Sequence, residues 1–268
     1  MGSSSVISLS DSALDRTWAD LRREGRTGLV PYLTAGFPTL DDSLAALQSA
    51  DAHADVIEVG VPFSDPLADG PTIQASTFRA LENGMTLPKT LDLIARASLR
   101  APVVLFSYLN PVLQYGVDRL VHDAASVGVS GLLLTDLPAG ADAALESTVQ
   151  RSPLDLIRLV APTSSASRIA TAVGGGQGFV YLIARLGVTG ASRDLADGLA
   201  ASVASVRAAT TLPIAVGFGI STPEQARAVG GLADGVVVGS ALVDVLGREG
   251  VAGADRFLAG LRSALDSA

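Results

Sequence analysis

The stretch Ala54–Gln74, ADVIEVGVPFSDPLADGPTIQ, joins a short apolar run to a stiff acidic loop. The run Val56–Val59 is interrupted by one carboxylate, Glu58. The loop after it carries Asp65, Asp69 and three prolines. An ionised carboxylate in a core strand is costly or must shift its pKa, so stability alone rarely places one there. The stretch therefore predicts a strand whose end serves a function.

Seven other short apolar runs recur along the chain at similar spacing. They are continuous rather than alternating, which is typical of parallel strands covered on both faces. The runs are Gly28–Leu33, Val103–Phe106, Gly131–Leu134, Leu156–Val160, Phe179–Ile183, Pro213–Val216 and Gly235–Val238. Segments with helical spacing lie between them, for example Leu40–Ala50, Leu91–Leu99, Val117–Ser126 and Pro223–Val229.

Eight strands that alternate with helices predict an α/β fold, a single (β/α)8 TIM barrel over residues 1–268. The alternative is an open doubly wound sheet, which would place a glycine-rich nucleotide-binding turn after its first strand. The sequence at that place, PYLTAGFP (Pro31–Pro38), is not such a turn. The barrel is therefore the favoured fold.

An extra helix is predicted before the first strand. Ser10 and Asp11 can cap it, and it would extend to Arg23. Its apolar face would plug the N-terminal end of the barrel with Leu14, Trp18 and Leu21. Residues 1–9 are expected to be a disordered lead-in, and GGGQG (Gly174–Gly178) a helix-to-strand turn at the end of the barrel away from the site.

The composition excludes several functional classes. The net charge is −8 and no Lys/Arg-rich block occurs, so nucleic acid is not an expected partner. No apolar run reaches the roughly 18 residues of a membrane helix, and no Cys is present for disulfide or thiolate chemistry. The only lysine is Lys89 and the only histidines are His53 and His122. We therefore predict neither a Schiff-base lysine nor a metal site.

Glu58 is the first candidate for catalysis. It alternates with Ile57 and Val59, so its side chain is expected to point into the barrel while its neighbours face the helices. A carboxyl in that position can act as a general acid/base with a pKa close to neutrality. The alternative is a core glutamate whose carboxyl is satisfied by a Tyr or Ser hydroxyl.

The loop after Glu58 supplies the second candidate. Its prolines restrict the backbone and would hold one carboxylate at a fixed place over the barrel mouth, where the active sites of such barrels lie. We assign this role to Asp69 and a turn role to Asp65, although Asp is also common in turns and helix caps.

Three glycine-containing turns follow the last three predicted strands, and glycine lets backbone N–H groups approach a ligand closely. They are RLGVTGA (Arg185–Ala191), GFGIST (Gly217–Thr222) and VGSALV (Val238–Val243). The segment GSALVDVL also resembles the start of a short helix, whose N-terminus favours an anion. Together these turns predict a site for a phosphate monoester, held largely without lysine or arginine.

With these motifs in place, the chain resembles the tryptophan synthase α subunit family over about Gly28–Leu246. The most specific match is IEVGVPFSDPLADGPTIQ (Ile57–Gln74). The other matching motifs are LVPYLTAGFP (Leu29–Pro38), YLNPV (Tyr108–Val112), TDLP (Thr135–Pro138), GVTG (Gly187–Gly190) and GFGIS (Gly217–Ser221). The resemblance implies a lyase that splits indole-3-glycerol phosphate into indole and glyceraldehyde 3-phosphate, in the last stage of tryptophan biosynthesis.

The resemblance also assigns roles to individual residues. The catalytic glutamate and aspartate of the family correspond to Glu58 and Asp69. The substrate-binding positions correspond to Tyr32, Phe106, Leu133, Tyr181 and Thr189, and the phosphate-binding positions to Gly190, Gly219, Gly239 and Ser240. Leu186, in the sixth loop, departs from the family pattern, because a small or polar residue is commoner at that position.

The residue inventory agrees with an acid/base retro-aldol cleavage that uses the indole ring as electron sink. A Schiff-base route needs a lysine on a strand, whereas Lys89 is expected at a helix start. A metal route needs clustered histidines, whereas His53 is expected at the far end of the barrel and His122 in a helix. Glu58 would move the protons and Asp69 would stabilise the positive charge on the ring.

The resemblance further implies a cytoplasmic α2β2 complex, with a PLP-dependent β subunit over the catalytic mouth and no cofactor on this chain. The loops after strands three and four offer an apolar set for that interface, or ordinary loop packing: Pro111, Val112, Leu113, Tyr115 and Pro138. Three other functions remain open. They are a stand-alone lyase that releases indole, a catalytically idle barrel that serves as a scaffold subunit, and an isomerase on another phosphate-binding barrel.

Overall fold

The computed structural model describes residues 12–161, 164–183, 192–217 and 219–267. Its centre is a closed barrel of eight parallel strands, in which each strand pairs with the next and the eighth pairs with the first. The strands are β1 Gly28–Thr34, β2 Ile57–Gly60, β3 Val103–Ser107, β4 Val129–Leu134, β5 Asp155–Val160, β6 Val180–Ile183, β7 Ile214–Gly217 and β8 Gly235–Val238. Each predicted apolar run coincides with a strand, and the predicted TIM barrel is confirmed.

Helices cover the outside of the barrel in the described part of the chain. They are α1 Ala13–Glu24, α2 Leu40–Ala50, α3 Pro71–Glu82, α4 Leu87–Ala97, α5 Leu109–Tyr115, α6 Val117–Ser126, α7 Ala143–Gln150, α8 Ala166–Val173, α9 Ser192–Arg207, α10 Pro223–Gly230 and α11 Ser240–Asp266. The bounds of α2 and α6 are those predicted, and the GGGQG turn joins α8 to β6. α11 is bent at Gly250, whose φ of 67° interrupts the helical backbone.

The predicted N-terminal helix is present, but its cap differs from the prediction. Ser10 and Asp11 lie outside the described residues, as does the predicted lead-in. The side chain of Ser12 caps α1 by accepting the Asp15 N–H, and the Asp15 carboxylate in turn accepts the Ser12 N–H. This reciprocal pair satisfies two N–H groups that a helix start leaves free. The prediction of Ser10 and Asp11 as the cap is therefore wrong.

Helix α4 begins four residues before the predicted Leu91. Thr86 caps it, and a proline in its first turn is tolerated because the N–H that proline lacks would have no helical partner there. The helix ends at Ala97 because Ser98 takes a left-handed conformation with φ of 51°. These signals for the start and the stop lie outside the apolar pattern, which explains the shifted prediction.

The N-terminal end of the barrel is closed by α1. The Trp18 ring packs so close to two strand glycines that a Cβ atom at Gly28 or Gly235 would lie 2.8 or 2.6 Å from it. Leu14 and Leu21 are buried beside Trp18 in the inner core, the cluster of side chains enclosed by the strands. Only glycine, which has no Cβ atom, leaves space for the Trp18 ring at these two strand positions. The two glycines therefore allow α1 to close this end of the barrel.

Alternation along β2 divides its side chains between two cores. Ile57 and Val59 pack in the outer core, between the strands and the helices, while Val56 just before β2 packs in the inner core with Trp18. Glu58 is buried among the inward-facing set. Over the described ranges, no helix is long and apolar enough to cross a membrane.

Candidate active site

A cavity of about 520 Å³ lies at the carboxyl ends of the strands. Parallel strands of a barrel all end at this face, so the loops after them meet around one opening. The cavity brings together residues from β1, β2, β3, β6 and the turns after β7 and β8. Among its lining residues are Tyr32, Glu58, Asp69, Phe106, Tyr181, Gly219, Gly239 and Ser240. Eight of the eleven predicted site residues therefore share one cavity.

Glu58 is fully buried in the wall of this cavity. Neither of its carboxyl oxygens has a hydrogen-bond partner within the described residues. Burial without a partner disfavours the ionised form, and it raises the pKa of Glu58 to about 8. The carboxyl therefore holds a proton near neutral pH and faces the space where a ligand would bind.

Two tyrosines flank Glu58 and narrow the cavity. Tyr32 is its register partner on β1, and the rings of Tyr32 and Phe106 meet edge to face at 5.2 Å. Glycines make room for both tyrosine hydroxyls, because a Cβ atom at Gly60 or Gly217 would lie 2.1 or 2.3 Å from the Tyr32 or Tyr181 oxygen. Burial is the main cause that raises the pKa of each tyrosine, so both stay neutral and polar.

Asp69 reaches the cavity from the loop between β2 and α3. The loop is closed by a hydrogen bond from the Asp69 N–H to the Pro66 carbonyl. Partial burial raises the pKa of Asp69 to about 6, and a hydrogen bond with the Tyr108 side chain opposes that rise. Asp65 is exposed and accepts the Ser64 hydroxyl at 2.6 Å. The Asp65 carbonyl also accepts the Leu67 N–H at 2.9 Å, which closes a tight turn at Asp65, as the sequence predicts.

The two carboxyls differ in charge over a defined range of pH. Between about 6 and 8, Asp69 is ionised while Glu58 is protonated. A pair of carboxyl groups whose pKa values are pushed apart by their surroundings provides one proton donor and one fixed negative charge. The cavity can therefore protonate a bound molecule on one side and stabilise a positive charge on another.

The opposite wall of the cavity is built from the turns after β7 and β8. Gly219 has a φ of 88°, a conformation that glycine adopts readily. Gly239 is the N-cap of α11, which begins at Ser240 and has no acidic residue in its first turn. The free N–H groups and the dipole at such a helix start favour a bound anion. Asp244 and Arg248, further along α11, pair with each other at 2.8 Å.

Of the three remaining predicted site residues, one is not in the cavity wall and two are not described. Leu133 is fully buried in the inner core, in the same hydrophobic cluster as Val104 and Ile157. Thr189 and Gly190 lie outside the described residues, together with Leu186. The roles of these residues stay predictions.

The cavity wall also contains residues that the sequence analysis did not single out. Thr135 directly follows β4, Leu159 faces inward on β5, and Thr72 and Ile73 lie in the first turn of α3. The sequence could have indicated Thr135 as a site residue, because it directly follows a predicted strand. Tyr108 follows β3 in the same way and contacts the Asp69 loop.

A second cavity of about 480 Å³ lies against the outside of β4 and β5. Its buried Arg158 pairs with Glu146, and Glu146 also accepts the Gly140 N–H at 2.7 Å. The charge of the buried Arg158 is therefore paired within the protein. The cavity over Glu58 differs because its buried carboxyl has no hydrogen-bond partner in the part of the chain that the structure describes, which is why we place the candidate site there.

The apolar set predicted for an interface is only partly at the surface. Val112 is fully buried and packs in the outer core, so its prediction as an interface residue is wrong. Leu113 is half-exposed, and Pro138 is exposed. Leu67, in the Asp69 loop, is the most exposed large apolar side chain of the described residues, at 90%.

Comparisons with known sequences give one consistent result. The family model described as "Tryptophan synthase alpha chain" matches residues 18–259. The chain is 50% identical to the tryptophan synthase alpha chain of Citrifermentans bemidjiense over 235 residues, which cover 87% of this chain and 88% of that relative. It is 45% identical to the corresponding chain of Geobacter sulfurreducens over 260 residues, which cover 96% and 98%.

Solved structures agree. A tryptophan synthase structure from M. tuberculosis in its aminoacrylate-bound form superposes with a TM-score of 0.86 at 34% identity, covering 95% of this chain and 99% of that one. The tryptophan synthase subunit alpha of Legionella pneumophila gives a TM-score of 0.88 at 32% identity, with 96% and 99% covered. On this evidence the chain belongs to the tryptophan synthase alpha chain family.

Proposed function

We propose that this chain is a lyase that cleaves indole-3-glycerol phosphate to indole and glyceraldehyde 3-phosphate. Membership of the family supports the reaction. The observation that carries the assignment to residues is the buried Glu58, which has no hydrogen-bond partner among the described residues and shares one cavity with Asp69 and the N-terminus of α11. These three features match the three parts of the substrate: the reacting carbons, the ring nitrogen and the phosphate.

The cleavage needs two proton movements and no oxidant or water. Glu58 donates its proton to indole C3, which leaves a positive charge on the ring. The bond between C3 and the first carbon of the chain then breaks, and its electron pair restores the indole ring. The hydroxyl on that carbon loses its proton to the Glu58 carboxylate and becomes the aldehyde of glyceraldehyde 3-phosphate. A pKa of about 8 keeps Glu58 protonated for the first step.

Asp69 supports the same step from the nitrogen side. Its carboxylate is ionised above a pH of about 6 and can accept the ring N–H. The charge interaction strengthens as the ring becomes cationic, so it favours the transition state over the bound substrate. Phe106 and Tyr32 would enclose the ring, with Tyr181 beside Glu58.

The phosphate is assigned to the turns after β7 and β8. We propose that Gly219, Gly239 and Ser240 hold it with backbone N–H groups and the dipole of α11. Thr189 and Gly190 remain proposed contacts from the loop before α9, and Leu133 a proposed contact from beneath the ring. Arg248 is neutralised by Asp244, which leaves the backbone as the main source of positive potential in this wall.

We further propose a cytoplasmic complex with a β subunit, in an α2β2 arrangement, as the last stage of tryptophan biosynthesis. PLP would be bound by that partner, and this chain, a single barrel domain, would need no cofactor of its own. The exposed Leu67 and Pro138 lie on loops at the catalytic mouth and Leu113 lies on α5, the helix after β3; all three suit a contact with the partner. Indole is small and apolar, so direct transfer between sites would limit its loss.

The function is tested by following indole release from indole-3-glycerol phosphate. We expect slow cleavage by the isolated chain and a strong increase when a tryptophan synthase β subunit is added. Borohydride and EDTA should leave the rate unchanged, because the proposed route uses neither an imine nor a metal. A chain that releases no indole, alone or with the β subunit, would be an idle barrel. Full activity without any effect of the β subunit would favour the stand-alone lyase.

A further inference from the structure

Tyr108 links the end of β3 to the loop that carries Asp69. It follows β3 directly, is the N-cap of α5 and is only 5% exposed. Its hydroxyl accepts the backbone N–H of Ala68 at 2.9 Å, one residue before Asp69. Its ring packs against Phe63 in the same loop, with the ring centroids 5.3 Å apart. One side chain therefore contacts both the beginning and the end of the loop.

We propose that Tyr108 is a positioning residue for the cleavage reaction, which orients the Asp69 carboxylate by binding the loop at Ala68 and Phe63. The inference rests on the proposed function. A carboxylate on a loop must be fixed to well under about 1 Å for it to favour a transition state, and a rigid strand end is the better support. Tyr108 is not among the residues that line the cavity, so it acts through Asp69 rather than on the substrate.

The loop has a second attachment, which differs in kind. The Gln74 side-chain amide donates to the carbonyls of Asp69 and Pro66, at 2.9 and 3.2 Å. These bonds hold the backbone from α3 but do not reach the carboxylate. The Tyr108 side chain also interacts with the Asp69 carboxyl, and this interaction opposes the rise in the pKa of Asp69 that burial causes. Removing the hydroxyl should therefore affect both position and charge.

Other titratable groups face Asp69 across the cavity. Glu58 on β2, Tyr32 on β1 and Tyr181 on β6 all line it, and Asp244 and Arg248 on α11 are paired with each other. The two flanking tyrosines have pKa values raised well above neutrality, so neither changes charge near pH 6. Glu58 titrates near pH 8. The acid limb of the activity profile therefore reports on Asp69.

The test is Tyr108→Phe in the full chain with its β subunit. The ring and its contact with Phe63 stay, and only the hydroxyl is lost. We expect kcat to fall by about 10-fold to 100-fold with KM changed less than about threefold. The acid limb of the kcat profile should move to higher pH, because Asp69 loses a bond that favours its ionised form. A merely structural role would lower activity without moving this limb.

The chain offers a matched control in Thr210→Val, which also removes a hydroxyl that accepts a backbone N–H. The Thr210 hydroxyl accepts the Leu212 N–H at 3.2 Å before β7 and does not line the cavity, so kcat and the acid limb should stay as in the wild type. A second measurement needs no turnover: carbon NMR of labelled aspartate should show Asp69 titrating at higher pH in Tyr108→Phe. If kcat, the acid limb and this titration are all unchanged while the wild type is active, the inference is wrong and the proposed function stands. A wild type without cleavage would overturn the proposed function instead.

Discussion

The barrel buries a carboxyl group at each of its two ends, and the two are held differently. At the closed end Asp155 is 6% exposed, and its carboxylate accepts the Ser12 hydroxyl at 2.5 Å. At the open end Glu58 is fully buried and has no partner among the described residues. Burial raises the pKa of both, to about 6 for Asp155 and about 8 for Glu58. A hydrogen bond makes the first a structural link, whereas the second remains free to exchange a proton.

At both ends of the barrel, glycines leave space for an aromatic side chain, but the environment that results is different. At the closed end Gly28 and Gly235 admit the Trp18 ring, which fills the barrel with apolar atoms. At the mouth Gly60 and Gly217 admit tyrosine hydroxyls, which leave a polar space around Glu58. The same residue type therefore supports a packed core at one end and a reactive cavity at the other. The difference lies in the side chain that fills the space beside each glycine: an apolar ring stabilises the closed end, and tyrosine hydroxyls make the mouth polar.

The largest difference between the two carboxyls should be in catalysis. Glu58→Gln removes the proton that we assign to indole C3, so kcat should fall by about 10³-fold to 10⁴-fold. Asp155→Asn, the matched change at the closed end, should leave kcat within about twofold, because Asp155 lies away from the cavity. Indole release at saturating substrate measures both. A Glu58→Gln enzyme that keeps a third of wild-type turnover would remove Glu58 from the mechanism.

The second difference is in how stability depends on pH. The pKa of Glu58 is 4.5 in the unfolded reference and about 8 in the fold, so the folded state retains a proton that the unfolded chain releases. A raised pKa means that stability is fully present below 4.5 and is lost as pH rises to 8. The slope is about 1.4 kcal/mol per pH unit while only one state is ionised. In Glu58→Gln this loss should disappear.

The window that isolates Glu58 is pH 6.5 to 7.5. Asp69 and Asp155 also have raised pKa values, but both are about 6, so their contributions change mainly at lower pH. Urea unfolding at several pH values in this window gives the slopes for the wild type and for Glu58→Gln. Parallel lines would show that Glu58 is already ionised in the folded protein, and its role as proton donor would then fail.

Much of the fold was predictable because it depends on local patterns. Continuous apolar runs marked all eight strands, since both faces of a barrel strand are covered. Alternation placed Glu58 with the inward-facing side chains. The start of α4 and the cap of α1 were missed, because capping depends on single polar side chains that the apolar pattern does not contain.

The candidate site was predictable only where it followed from strand ends or from the resemblance. Eight of the predicted residues line one cavity, which the strand order makes possible. The buried position of Val112 and the contact between Tyr108 and Ala68 could not be read from the sequence. Both depend on how a loop folds back on its neighbours, and one chain without its structure carries no signal for such long-range contacts.

The smallest expected effect concerns the link between α1 and Asp155. Ser12→Ala removes two interactions at once, the N-cap of α1 and the hydroxyl that Asp155 accepts. Thr39→Ala is the matched control, because Thr39 caps α2 by accepting the Asp42 N–H, and its hydroxyl donates to the solvent-accessible Asp42 carboxylate rather than to a buried one. We expect Thr39→Ala to lower the free energy of unfolding by about 1 kcal/mol. Ser12→Ala should lower it by about 2 to 3 kcal/mol, since a buried acceptor also loses its donor. Both should retain wild-type kcat, because neither residue lies in the cavity wall. Equal losses of stability would mean that Asp155 gains nothing from Ser12, and the two ends of the barrel would then hold their carboxyls alike.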